Sequence, residues 1–450
     1  MAQDGKTDPT EKLLGWWTRG ATFVLAAAAA IFTSEDPRRG VVLFFAILLG
    51  FLPFTYARRR LHRAIRLAAH EPARARLLSW SWLAIGVCCD LIMVLQMLQA
   101  RTAEPSYLLN ASALSWLGPV WFSGHAILLI GYGLLGLARR GRRLIGRVLA
   151  RPVPTAGAET FAAATRPDPS RRAFLRQASA LSVGVPFGVS LSGVGISYDF
   201  RVEHREIELP DLPRELDGLR VAHLSDIHVG GAMNRERLTR VAELTNEARP
   251  DLVLHTGDFL THRAGDFDLP LYEALARVKV PLGQWACLGN HDYDNAPRFV
   301  RRLNDAGVTA LRNRSTELSI DGEQLQIVGL EYVSPREDRE GIYARVLGGM
   351  EEQREGARLL LNHDPQAFSD LQPGSADLVL SGHTHGGHIG VQLGADRAVS
   401  LVGMVGLRDQ GVFARGDMKL YVTRCVGFYG YPMRIGIPPE IALLTLRRKA

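Results

Sequence analysis

Apolar residues are spread along this chain in two ways. As far as residue 140 they come in long unbroken runs, at 20–33, 41–56, 78–99 and 116–137. A helix needs roughly 20 apolar residues to cross hydrocarbon, and each run approaches that length, the second with help from its flanks. Trp16, Trp17, Trp80, Trp82, Trp116 and Trp121 stand at or near the ends of the runs, where indole rings favour the headgroup zone. The pattern predicts four transmembrane helices, because so many such runs exceed what one soluble core can hide.

From residue 219 the pattern shortens. Runs rich in Val, Leu and Ile at 219–225, 251–256, 284–288, 325–330, 358–362 and 376–381 alternate with helical-looking pieces. In the first of these, Asn234 caps a helix whose Leu238, Val241 and Leu244 share one face. This reads as an α/β fold whose strands feed polar loops. Between the two regions lies a Pro, Ala and Thr mixture without periodicity, a linker, followed by a weakly apolar Gly- and Ser-rich stretch at 177–198 that is a candidate fifth span. The expected organisation is an all-α transmembrane region over 1–150, a linker over 151–200 and an α/β domain over 201–450.

The formal charge of +7 would suit a nucleic-acid binder, but its distribution points to a membrane. Residues 57–76 hold seven arginines and 138–151 six more, whereas the 100–115 connection has only Arg101. Positive residues stay on the cytoplasmic side, so both basic loops and the N-terminus are expected inside, against anionic lipid, and no nucleic acid is expected. Asp90 and His125 fall at similar depths in the third and fourth runs and are expected to meet, since an ionisable group in hydrocarbon needs a partner. Cys88 and Cys89 are adjacent, Cys287 and Cys425 are distant, and no disulfide framework results.

Ser170-Arg171-Arg172-Ala173-Phe174-Leu175 looks like a twin-arginine export motif, an address read by a translocase. The alternative is a basic anchor before a weak span. Both place the residues beyond about 200 outside, and without an A-x-A site the segment stays as an anchor. The expected location is a bacterial inner membrane, with the α/β domain extracytoplasmic.

Polar residues gather where the short runs end: Asp226 and His228 in "SDIHVG", Asp258 in "TGDF", Asn290, His291 and Asp292 in "GNHDYD", His363 in "NHDP", and His383, His385 and His388 in "SGHTHGGH". Strand ends share one rim of a sheet, so residues distant in sequence can converge there. A single D-x-H is nearly worthless as a signal; five motifs in this order are not. His223 and His255, inside strands, read as core residues, and His262 has no assignment.

This ordered set resembles the calcineurin-like metallophosphoesterase superfamily, whose pattern D-x-H, G-D, G-N-H-D/E, H, G-H-x-H is matched across 219–445. The branch with "LSGHTHGG" and a "PPEIALLTL" ending is membrane-associated and bacterial, related to phosphodiesterases and UDP-diacylglucosamine pyrophosphohydrolases. The resemblance does not cover the N-terminal runs. It implies a four-layer α/β/β/α sandwich and two divalent ions, with Asp226, His228 and His385 on one, Asn290, His363 and His383 on the other, and Asp258 bridging. Mixed N and O donors without thiolate suit Mn, Fe, Zn or Co. In that scheme His291 protonates the leaving oxygen and Asp292 orients its ring. His388 stands where the family commonly has Gln, and its role is open between phosphate contact, ligand support and a solvent-facing position. The implied activity is hydrolysis of phosphodiester or pyrophosphate bonds in lipid-linked or nucleotide-type substrates. A phosphomonoesterase is the alternative, as is a membrane sensor or transport element with the phosphoesterase domain as effector.

Overall fold

The computed structural model describes residues 13, 59, 62, 71–99, 116–149, 169–230, 233–261, 268–351, 356–394, 398–427 and 433–449. The first two apolar runs, the 100–115 connection, the linker up to residue 168 and His262 lie outside the described residues. Two compact units divide within a helix, between Leu191 and Ser192.

In the first unit, α1 (Pro72–Gln99) covers the third apolar run and α2 (Leu117–Leu149) the fourth. Within α2, Pro119–Ile145 has a mean hydropathy of 1.6 over its most apolar part and is, among the described residues, the one helix long and apolar enough to cross a membrane. The helix α3 (Pro169–Ile196) runs unbroken through Arg171 and Arg172, but its apolar part, Gly184–Ile196, falls short of a full crossing. Asp90 and His125 are both buried. They meet at Trp121: its Nε1 donates to Asp90 Oδ1 at 3.2 Å, and His125 Nδ1 lies 2.8 Å from its carbonyl oxygen. The sequence expectation had no place for this intermediary indole.

Among the described residues the second unit has fourteen strands. In chain order they are β1 (Arg201–Leu209), β2 (Arg220–Leu224), β3 (Leu252–His255), β4 (Gln284–Ala286), β5 (Val308–Ala310), β6 (Arg314–Ile320), β7 (Glu323–Gly329), β8 (Ala357–Leu361), β9 (Leu378–Ser381), β10 (Gly390–Gln392), β11 (Ala398–Ser400), β12 (Gly411–Arg415), β13 (Met418–Val422) and β14 (Glu440–Arg448). One six-stranded sheet has the order β1-β14-β2-β3-β4-β5, the other β12-β13-β9-β8-β7-β6, and β10 and β11 pair apart. The helices are α4 (Arg235–Glu247), α5 (Leu269–Arg277), α6 (Ala296–Asp305), α7 (Arg339–Gly348) and the short α8 (Leu401–Met404). Asn234 caps α4 as expected, its side chain accepting from Arg237 N.

Strand periodicity sorts the core into three seams. In β8 and β9, Leu359, Leu361, Leu378 and Leu380 meet Val221, Leu252 and Leu254 of the opposite sheet. Their alternates Leu360 and Val379 turn the other way, onto Tyr343 and Leu347 of α7. On the far side Ala222, Leu224 and Val253 receive Leu238, Leu271 and Phe299 from α4, α5 and α6. The order is helix, sheet, sheet, helix, and strands buried on both faces read as continuous apolar runs. Strands β2 to β5 are parallel, as are β7, β8, β9 and β13, so the loops leaving their C-terminal ends form one rim.

Candidate metal centre

The loops after β2, β3, β4, β8 and β9 bring all seven expected ligand residues together. Asp226, His228 and His385 form one group, with His385 Nε2 3.3 Å and His228 Nε2 3.8 Å from Asp226 Oδ1. Asp258, His363 and His383 form the other. Around His363 Nε2 lie Asp258 Oδ2 at 3.2 Å, Asn290 Oδ1 at 3.1 Å and His383 Nδ1 at 3.1 Å. Asp258 Oδ2 is also 3.6 Å from His228 Nε2, so one carboxylate oxygen faces both groups.

The ring nitrogens that face inward are selected from behind. His228 Nδ1 lies 3.1 Å from Leu260 O, His363 Nδ1 2.7 Å from Thr256 O, and His385 Nδ1 3.3 Å from Gly427 O. A carbonyl can only accept, so Nδ1 carries a proton and Nε2 is the nitrogen aimed at the centre, free to offer a lone pair whenever the ring is neutral. With the rings neutral, nitrogen lone pairs face carboxylate oxygens in a largely buried space, an arrangement of acceptors against acceptors that a cation resolves. The donor set therefore fits divalent metal.

Protons and charge are shared among these side chains. Burial opposes a charged His363, but the carboxylates of Asp258 and Asp226 override it and push its pKa up to about 10. Burial would raise Asp226 and Asp258; the imidazoles around them hold both below the ordinary carboxylate range. His385 goes the other way, burial keeping it neutral against the pull of Asp226.

The backbone is held in an uncommon conformation to do this. Asp226, His228, Asp258, His383 and His385 all have φ between 49° and 67°, the left-handed region that costs a non-glycine residue about 1–3 kcal/mol and recurs at functional sites. Two glycines are required by close approach. A Cβ on Gly257 would strike the backbone of Gly289, and one on Gly382 would strike Ser225 and the Asp226 carboxylate.

His291 is half-buried beside the first group, its ring 5.2 Å from that of His228, and its backbone N donates to Asp258 Oδ1 at 2.9 Å. Burial lowers its pKa, against the pull of Asp258. Asp292 departs from its expected place behind the His291 ring: its two oxygens accept from Leu260 N at 3.1 Å and Gly289 N at 2.9 Å, tying the loop after β3 to the loop after β4. Burial and the Asp258 charge push its pKa up to about 7. His388 lies against the His385 ring at 4.7 Å. His223 and His255 are buried and kept neutral by desolvation, with Nε2 at 2.8 Å from Thr256 Oγ1 and 3.2 Å from Gln284 Oε1.

Residues without a motif complete the site. The fully buried Arg434 donates to the carbonyls of His385 at 3.0 Å, Arg424 at 2.8 Å, Cys425 at 3.2 Å and Gly427. It thereby clamps the segment that orients His385. Cys425 Sγ lies 3.1 Å from Asp226 Oδ2, and the Tyr332 ring stands 6.1 and 6.3 Å from those of His363 and His383. The available signal was an arginine set among Pro, Met and Gly in "YPMRIG", which names no role.

Residues 219–387 match the family model for calcineurin-like phosphoesterases. An uncharacterized metallophosphoesterase of Bacillus subtilis, YkuE, is 29% identical over 62% of this chain and 98% of its own length. A Danio rerio protein described as a transmembrane protein with a metallophosphoesterase domain is 31% identical over 54% of this chain and 56% of its own. Phosphodiesterase YaeI of Escherichia coli is 27% identical over 50% of this chain and 82% of its own. The α/β domain of this chain belongs to the calcineurin-like metallophosphoesterase superfamily. By class it is a metal-dependent phosphoester hydrolase.

Proposed function

We propose that the chain is a membrane-anchored hydrolase of phosphodiester or pyrophosphate bonds with a dinuclear metal centre. The observation that carries this reading is Asp258, whose Oδ2 faces His228 Nε2 and His363 Nε2 at 3.6 and 3.2 Å. On this reading Asp226, His228 and His385 would hold one ion, Asn290, His363 and His383 the other, with the Asp258 carboxylate shared between them. Nitrogen and oxygen donors suit Mn, Fe, Zn or Co. Divalent ions held there would supply Lewis acidity, activating water near neutral pH and drawing charge from phosphoryl oxygens.

The remaining work belongs to the chain. His291 gives a proton to the leaving oxygen, and its backbone N–H on Asp258 fixes it relative to the bridging carboxylate. Asp292 holds the two loops that carry Asp258 and His291 in register. The Nδ1 contacts of His228, His363 and His385 keep their lone pairs aimed inward. Likeness to a protein named as a phosphodiesterase supports diester chemistry. The apolar stretch of α2 and the Danio rerio relative's name support membrane anchoring. The basic loops support an extracytoplasmic domain, and the twin-arginine motif supports a translocase as partner.

The test is turnover by the full-length protein loaded with Mn, compared across bis-nitrophenyl phosphate, nitrophenyl phosphate and a lipid-linked pyrophosphate, with and without chelator. Diester or pyrophosphate cleavage should exceed monoester cleavage and vanish with chelator. Faster monoester cleavage would reassign the enzyme to phosphomonoesters. Asp258→Asn should lose activity and most bound metal; two ions per chain in that variant would defeat the bridging role.

A further inference from the structure

Directly after the His385–Gly387 turn, β10, β11 and α8 form a small flap with an unusual surface. Leu393, Val399, Leu401, Met404, Val405 and Leu407 are all exposed, Met404 and Val405 by 72% and 74%. Single exposed apolar residues are ordinary, but a cluster within one short stretch marks an interaction surface. The flap is also tied to the centre. Ser400 Oγ donates to Asp409 Oδ2, Thr384 Oγ1 donates to Asp409 O at 2.6 Å, and Gln410 Nε2 donates to Gly386 O at 3.3 Å.

Chain continuity indicates what covers it. Residues Ser192–Ile196 close the apolar stretch of α3, and Gly193 lies against segment 433–435, where a Cβ would press on Arg434 O, Ile435 Cγ1 and Met433 Cγ. Arg434 N donates to Ser197 Oγ at 2.8 Å. The same segment backs the flap, with Gly390 N donating to Ile435 O at 3.0 Å and Ile435 N to His388 O at 2.9 Å. The end of an apolar helix and an apolar flap thus share one short support. Charge does not oppose this: the partly exposed Arg408 follows Leu407 and donates to Ser369 Oγ at 2.9 Å, keeping a positive charge beside the flap, while the Asp409 carboxylate is buried and cannot repel a headgroup phosphate.

We propose that this flap is a lipid-contacting surface, seated at the boundary between headgroups and acyl chains of an anionic bilayer. It holds the metal-binding rim against the membrane, so that the substrate is an amphiphile whose apolar part stays in the bilayer while its phosphoester reaches His383 and His385. The substrate half of this proposal rests on the phosphoesterase reading; the surface half does not.

The experiment uses the full-length protein in nanodiscs of phosphatidylglycerol and phosphatidylcholine. With Cys88→Ser removing the exposed thiol, a fluorophore is placed at Met404→Cys or at Glu317→Cys, on β6 at the edge of its sheet opposite β12. Nitroxides on the lipid acyl chains should quench position 404 several-fold more than position 317. Equal quenching overturns the proposal, as does shielding at 404 that grows with protein concentration and ignores the nitroxide, which would assign the face to a second copy. In parallel, Met404→Glu with Val405→Glu should lower hydrolysis of a bilayer-embedded diester about tenfold or more and leave soluble bis-nitrophenyl phosphate turnover unchanged. Equal losses on both would make the flap a support of the site and overturn the proposal. Quenching as expected, with no phosphoester hydrolysed at all, would sink the phosphoesterase reading and leave the lipid surface standing.

Discussion

His228, His363 and His385 each place Nδ1 against a backbone carbonyl, and that contact aims Nε2 of three buried rings at the centre. The consequence is sharpest at His363, whose pKa of about 10 in the metal-free site means that it carries a proton at neutral pH. A cation taking Nε2 must displace that proton. Metal uptake near pH 7 should therefore release protons, and apparent affinity should rise as pH climbs toward 10, since less proton is left to displace. Calorimetry in buffers of different ionisation enthalpy measures this; binding without proton release would remove His363 from the ligand set. His291 tests the other role. His291→Ala should keep its metal and lose roughly 10²- to 10⁴-fold in turnover, the loss shrinking as the leaving group improves. Equal losses for alkyl and nitrophenyl esters would rule His291 out as the acid.

The loops after β9 and β13 act together as one element. The loop after β9 supplies His383 and His385, and the loop after β13 supplies Gly427 O, which orients His385. Arg434 joins them by donating to carbonyls on both. Arg434→Met should strand buried acceptors at about 1–3 kcal/mol for each one left unpaired. The Asp226, His228 and His385 group should loosen first, seen as metal content falling from two ions per chain toward one, with a lower Tm. A folded variant holding the full metal complement would show that the 424–427 segment keeps its place without the arginine. None of this was legible in the motifs. D-x-H, G-D, G-N-H-D and G-H-x-H announce candidate ligands because metal chemistry calls for those side chains at strand ends. An arginine that binds only carbonyls leaves no spacing to recognise, and neither does the Asp292 link between two backbone amides.

For the molecule as a whole, the arrangement of charge around the apolar runs makes a topological prediction. A reporter fused after residue 205 should report the extracytoplasmic side; a cytoplasmic signal would refute it. If Arg171 and Arg172 form a working export motif, Arg171→Lys with Arg172→Lys should strand the domain inside, whereas a simple positive anchor should tolerate the exchange because its charge is kept. The structure bears on the span count at one point: the apolar part of α3 is too short to cross alone, so an outward domain would need flanking residues to complete that crossing.

By itself the sequence determined which residues could meet a metal, and the element that carries each. Six apolar runs became β2, β3, β4, β7, β8 and β9, because a strand buried on both faces must be apolar throughout, and that demand is local. The fold's layering followed from the same alternation once two sheets were present to receive it. What only the tertiary structure decided was the chemistry of each donor. Which ring nitrogen faces inward depends on carbonyls more than thirty residues away at His228, more than a hundred at His363 and more than forty at His385. The left-handed backbone at five candidate ligand residues is a strained local state that surrounding loops impose. The Trp121 contact to Asp90 was likewise beyond reach of periodicity, which sets depth along a helix but not which side chains of the next helix arrive there. Local pattern records what a residue can do; long-range contacts choose among those options, because hydrogen bonds to a fixed neighbour select one tautomer, one rotamer and one charge.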